Sequence, residues 1–257
     1  MNKRVLPLLL LVLSAGSKLA LADTTELFFG NANDSAQGGN SSNTATALFS
    51  LSNTGVLTIT LTALSSPALV PTDVLTGLFF DTAPGTLTNG TAALKAGSEA
   101  INGDGSVDSS ITSATVGNLW GYAAGVSAQG DTFAISASGA VSGLGHANFG
   151  NGSALQGVGG GDVIGIATGA NGGVTGKGPY IDDSIVFTFT TSNFSLSDLG
   201  PVIFQYGTSL NEPYSTGKQV SVSEASTPEL LAVDFGMVGV VGGFCYLRRK
   251  RSMSAAV

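Results

Sequence analysis

This 257-residue sequence predicts an all-β domain, an antiparallel β-sandwich or jelly-roll-like fold with long glycine-rich loops. Three observations predict it. Residues 55–64 (GVLTITLTAL) and 185–192 (IVFTFTTS) alternate apolar side chains with threonine at period two, as a strand with one buried face does. The β-rich runs are bounded by Gly, Asn, Pro or Asp, which supply turn geometry. No segment of the mature body, residues 23–223, carries a sustained apolar stripe at helical spacing.

Residues 1–22 come first. Lys3 and Arg4 precede an apolar run, 5–13, and Ala20-Leu21-Ala22 forms a small-residue cleavage motif before Asp23. That order describes a secretory signal peptide cut between Ala22 and Asp23, and the apolar run is too short to span a bilayer. Residues 23–223 then form the predicted exported domain. Its strands are expected around Glu26 and at 46–52, 55–64, 74–81, 132–138, 163–168, 185–192 and 201–209, about eight in all. A single helix is expected at 91–100 (TAALKAGSEA), weakened by Gly97. Residues 139–179 are a glycine-rich excursion holding one strand, and no fixed repeat period suggests a solenoid or propeller.

Charge narrows the partners. From Asp23 to Thr227 there are fifteen acidic residues and three basic ones, a net charge of 3 − 15 = −12. Such a body has no basic stripe for nucleic acid or for an anionic membrane surface. The one cysteine, Cys245, falls outside it, so the exported part has neither a disulfide framework nor a thiolate metal site.

Catalytic patterns are sparse. His146 is the only histidine, and it lies in GLGHANFG without a nucleophile elbow, so a loop histidine is its ordinary role. Asp182 and Asp183 are adjacent, so on a strand they point to opposite faces; they read as a solvated strand-entry turn. No catalytic residue and no obligate cofactor is expected. Calcium is the one ion such a chain suits, because its acidic loops offer hard oxygen ligands. Asp104 and Asp108 lie on a Gly-containing loop without EF-hand spacing, and Asp162 belongs to a single imperfect copy of the calcium-binding nonapeptide. Trp120, Tyr122, Phe204 and Tyr206 have two readings: a sugar-stacking platform, or core aromatics.

The tail, residues 224–257, changes character. Thr227-Pro228-Glu229 precedes an apolar stretch, 230–247, in which Asp234 and four later glycines interrupt the hydrophobicity; Arg248, Arg249, Lys250 and Arg251 close it. The stretch is expected to form a single helix, near or below bilayer length, with its basic end held in the cytoplasm. This Pro-Glu motif, apolar helix and basic end resemble the tripartite sorting signal of PEP-CTERM exported proteins. Leu230 stands where that motif has its second proline, which implies a variant pairing. The body segments VLTITLT, VLTGLFFD and IFQYGTSLNEP, with the glycine-rich loop, are similar to surface proteins of the same kind. The resemblance implies recognition by an exosortase, a membrane transpeptidase-like enzyme, after transient anchoring in the inner membrane. It further implies cleavage near residues 227–229, delivery to the cell surface or extracellular matrix, and a structural or adhesive role among exopolysaccharides. It supplies no catalytic residues. The alternatives are a carbohydrate-binding module held by a single transmembrane helix, and a secreted hydrolase.

Overall fold

A computed structural model describes residues 23–31, 43–64, 68, 70–102, 104–128, 130–137, 147–149, 166–167, 179–207 and 210–221. They belong to the unit Met1–Val220, apart from Ser221. Among them the architecture is all-β, and the only helical pieces are three-residue 3-10 turns such as Val116–Asn118 and Leu196–Asp198.

The long strands are β1 (Thr24–Asn31), β2 (Thr44–Leu51), β3 (Val56–Ala63), β4 (Leu75–Phe80), β5 (Thr86–Leu94), β7 (Trp120–Ala128), β8 (Asp131–Ala137), β12 (Ser184–Ser192), β13 (Val202–Tyr206) and β14 (Tyr214–Val220). Short strands complete the set: β6 (Glu99–Ile101), β9 (Ala147–Asn148), β10 (Ile166–Ala167) and β11 (Tyr180–Asp182). They hydrogen-bond into one continuous sheet, in the order β5-β12-β3-β2-β1-β14-β13-β4-β10-β11-β6, with β8 on β4 and β7 between β8 and β9. Pairing is antiparallel except between β10 and β11. The sheet folds over on itself and nearly closes. β14 is the join, since it pairs with β1 on one side and β13 on the other.

The period-two segments do what their pattern demands. On β3, Leu57, Ile59 and Leu61 are fully buried while Thr58 and Thr60 face outward; on β12, Ile185, Phe187 and Phe189 point in. Register matches like with like, with Ile59 opposite Phe187 and Thr58 opposite Thr188. A one-residue slip would turn every phenylalanine to solvent. The enclosed core is a string of rings running from one half of the sheet to the other. Phe28 meets Phe49 at 5.6 Å, Phe49 meets Phe80 at 5.2 Å, and Phe80 meets Phe133 at 5.2 Å. Phe133 reaches Phe189 at 5.6 Å, and Phe187 reaches Trp120 at 5.3 Å. Beyond area burial, each such pair is worth about 0.5–1.5 kcal/mol.

The helix expected at 91–100 is not there. Its first half is the end of β5, where Ala92, Ala93 and Leu94 pair with Phe187, Val186 and Ile185. A turn through Gly97 (φ +92°) follows, and Glu99–Ile101 is β6. Alanine and leucine favour helix intrinsically, but the vacant edge of β12 offered a full ladder of hydrogen bonds to this segment.

Candidate functional site

The first feature with functional bearing is where the chain enters and leaves the sheet. β1 and β14 lie side by side in antiparallel register, Leu27 opposite Val220, Phe28 opposite Gln219 and Phe29 opposite Lys218. The N-terminal end of β1 and the C-terminal end of β14 are therefore at the same end of the sheet. Six residues, 221–226, separate Val220 from Thr227. The expected processing residues Ala20 and Ala22, Thr227, Pro228 and Glu229, and Arg248, Arg249, Lys250 and Arg251, lie outside the described residues. No helix among the described residues is long and apolar enough to cross a membrane.

The aromatic candidates prove to be core. Trp120 and Phe204 have no exposed surface and Tyr206 has 1%. Trp120 packs on Phe187, and its indole N–H points into the interior without a partner. Tyr122 is half-buried against Phe149 and Phe189, and its hydroxyl accepts a hydrogen bond from the Gly90 amide at 3.3 Å. Phe204 lies over two glycines, Gly30 on β1 and Gly217 on β14, where any side chain would meet its ring. The sugar-stacking platform is thus corrected: these residues sit on inward positions of β7 and β13, and their ring faces pack against the core.

The loop acids are occupied by their own turns. Asp104 Oδ1 accepts from the Ser106 amide at 2.9 Å and its hydroxyl at 2.6 Å, and Asp108 Oδ1 accepts from Ser110 with the same two distances. The Ser106 hydroxyl, then its amide, holds the Asp104 carboxyl below the usual carboxylate range. Both are Asx-type turns, closed on the Oδ1 atom of each aspartate. Asp162 and His146 lie outside the described residues. Asp182 ends β11, and exposed Asp183 occupies the turn into β12 with φ +80°, as expected of a strand-entry turn.

One further group carries no signal in the sequence. Asp131 opens β8 and is only 4% exposed, with Oδ2 buried and without a hydrogen-bond partner. Burial, followed by repulsion from Asp81, pushes its carboxyl up to about 7. Asp81 follows β4 directly. Its Oδ1 accepts from the Thr132 amide at 3.0 Å and hydroxyl at 2.8 Å, and its Oδ2 lies against Gly200. In sequence Asp131 looks like a turn residue after Gly130; only the β4–β8 pairing puts it beside Asp81 and under cover. Among the described residues no three His, Cys, Asp or Glu side chains converge.

Comparison with known proteins matches the chain to no protein-family model, no curated protein and no solved structure.

Proposed function

We propose that this chain is an exported surface or extracellular-matrix protein, processed at its C-terminal sorting signal by an exosortase-type transpeptidase and serving a structural or adhesive role in an exopolysaccharide matrix. It is the enzyme's substrate and not itself a catalyst. The observation that carries the proposal is the pairing of β1 with β14. Both ends of the domain leave from one end of the sheet, beside segments that read as a signal peptide and a sorting tail. Once the signal peptide is removed the tail is the one remaining tether, and cutting near Thr227 removes nothing from the hydrogen-bonded ladder of the described residues, which ends at Val220.

The outer face of the sheet supports the same reading. Thr25, Ser50, Thr58, Thr188 and Thr91 stand opposite one another across five strands. This row is uncharged and hydroxyl-bearing, which suits a hydrated glycan matrix, and it runs beside an outward row of Leu27, Leu48, Thr60, Val186 and Ala93. We take the folded-over sheet to be sandwich-like or jelly-roll-like in its finer architecture.

The test is intact mass of the protein from an exosortase-bearing host, with membrane, surface and medium fractions compared. The expected product lacks the first 22 residues and everything after about Thr227, and the double substitution Pro228→Ala, Glu229→Ala leaves unprocessed chain in the membrane. A mature species that keeps its Arg-rich tail overturns the proposal and leaves an ordinary membrane-anchored protein.

A further inference from the structure

Six strands lie side by side in the order β14-β1-β2-β3-β12-β5. Their inward positions carry Phe28, Phe49, Ile59 and Phe187 into the core, and the alternate positions face away from it. On the outward side, register lines up Val220, Leu27, Leu48, Thr60, Val186 and Ala93, one from each strand, beside the Thr25–Thr91 row. Val220 is 43% exposed, and the other five are partly exposed. Charge sets this side apart. β2, β3, β5, β12 and β14 contain no acidic residue; the one on β1, Glu26, lies on the side of Phe28, and Asp23 stands just before the strand begins. Yet the body from Asp23 to Thr227 has a net charge of −12. Its carboxylates gather instead on turns and short connections, at positions such as Asp104, Asp108, Asp183 and Glu212. Lys218, opposite Phe29, is the only charged residue these six strands place on the outward side.

We propose that this acid-free side is a self-association surface, and that its occupant is the same side of a second copy of the chain. The net charge selects the partner. Two bodies of −12 each repel through any face that sets carboxylate against carboxylate, and here they meet without opposing like charges at close range. Depletion of charge, with Leu and Val set among threonines, is also what marks the middle of a protein interface. Threonine hydroxyls both donate and accept, so two facing rows satisfy one another. A patch that meets its own copy does so about a two-fold axis, and two sheets of like twist stack about 10 Å apart with their strands crossing at about 30°. Area sets the strength. Six strands about 4.8 Å apart span roughly 29 Å, and about six residues of each run roughly 20 Å, so each copy offers roughly 600 Å². The pair buries about 1,200 Å², the lower end of specific interfaces, which places the affinity on the order of micromolar. The inference goes beyond the matrix role and holds whether or not the tail is cut.

The experiment is sedimentation equilibrium of the full-length chain from about 1 to 100 µM, a range that brackets the expected affinity, in low and in high sodium chloride. The wild type is expected to follow a monomer–dimer equilibrium that tightens several-fold with salt, because salt screens the repulsion between acidic bodies. Thr60 is partly exposed near the middle of the six strands. Thr60→Glu and Thr60→Lys each bury a charge without a partner, and both weaken the dimer at least about 10-fold. Ser109→Glu, on an exposed turn outside these strands, keeps it. Urea melts followed by Trp120 fluorescence show that each variant is folded; if the Thr60 variants are not, Val220→Glu, at the exposed end of the same row, takes their place. A chain that stays monomeric throughout, a dimer that loosens with salt, or one that survives these substitutions overturns the proposal.

Discussion

Gly30 is where one added carbon does the most damage. It lies on β1 beneath the ring of Phe204, and a Cβ added there stands 2.9 Å from Phe204 Cε2 and 2.7 Å from Ser215 Oγ, with Phe204 Cδ2 closer still. Ordinary contact needs about 3.4–4 Å, so the ring must retreat by roughly 1 Å. It has nowhere to go: Phe204 is fully buried, and Gly217 on the next strand supports the same ring edge, where an added Cβ would fall 2.9 Å from Cε2. Overpacking of a rigid core costs about 1–3 kcal/mol, and Gly→Ala in a strand returns only about 0.5–1 kcal/mol through the unfolded chain. Gly30→Ala is therefore expected to destabilise by about 2 kcal/mol. Trp120, the only tryptophan and fully buried, reports unfolding by fluorescence. With a urea m-value of about 2 kcal/mol/M the midpoint falls by about 1 M. Trimming the ring supplies the control. Phe204→Leu alone costs about 1–2 kcal/mol, but in the double variant the clash is relieved, and the two costs fall short of adding by at least about 1 kcal/mol. Strict additivity, or a neutral Gly30→Ala, would refute the idea that β1 and β14 keep glycine to seat this ring.

Two more outcomes follow from buried groups. For Asp131 burial raises the carboxyl from 3.8 to about 7 on folding, so the native state binds the extra proton and stability falls as pH rises from about 4 to about 7. The full shift corresponds to about 4 kcal/mol, which solvent screening reduces to about 2 kcal/mol; Asp131→Asn should gain that much on the wild type at pH 8 and nothing near pH 4, and parallel pH profiles would sink this. For Trp120, truncation to Ala should cost about 3–5 kcal/mol by the cavity it leaves, whereas Phe, which removes the unpartnered N–H along with some volume, should cost less than about 2 kcal/mol; equal losses in urea melts would contradict its placement.

Most strands are legible where one face is buried and the other wet. Residues 55–64 and 185–192 form β3 and β12 within a residue or two, because alternation of Ile, Leu or Phe with Thr encodes both the strand and the face it hides. β7 escapes notice because WGYAAGVSA packs small residues against β8, and small residues carry little hydrophobic contrast. β14, YSTGKQV, is polar almost throughout; pairing on both sides makes it a strand, and its own side chains do not. The aromatics stand out in the sequence but their use stays open there, since a ring's face toward core or solvent depends on partners such as Gly30 and Gly217 that lie far away along the chain. Asp131 is invisible for the same reason: its cover and its like-charged neighbour come from β4, fifty residues earlier. Local pattern encodes elements, and the chemistry of the interior arises from contacts between distant segments.

The position of β14 carries a consequence for how such a chain is made. It is the keystone of the sheet, the strand that turns two open-edged halves into one nearly closed surface, and it is the last strand of the described domain to be synthesised. Until it arrives, β1 and β13 each present a bare edge, and no earlier strand takes its place in the hydrogen-bonded order. Closure of the sheet is thus a late, all-or-none event whose contacts span nearly the whole domain, which makes folding slow. A chain made from its N-terminus therefore keeps both edges open until its final strand is in place, so the order of its strands sets the moment of closure at the end of its synthesis.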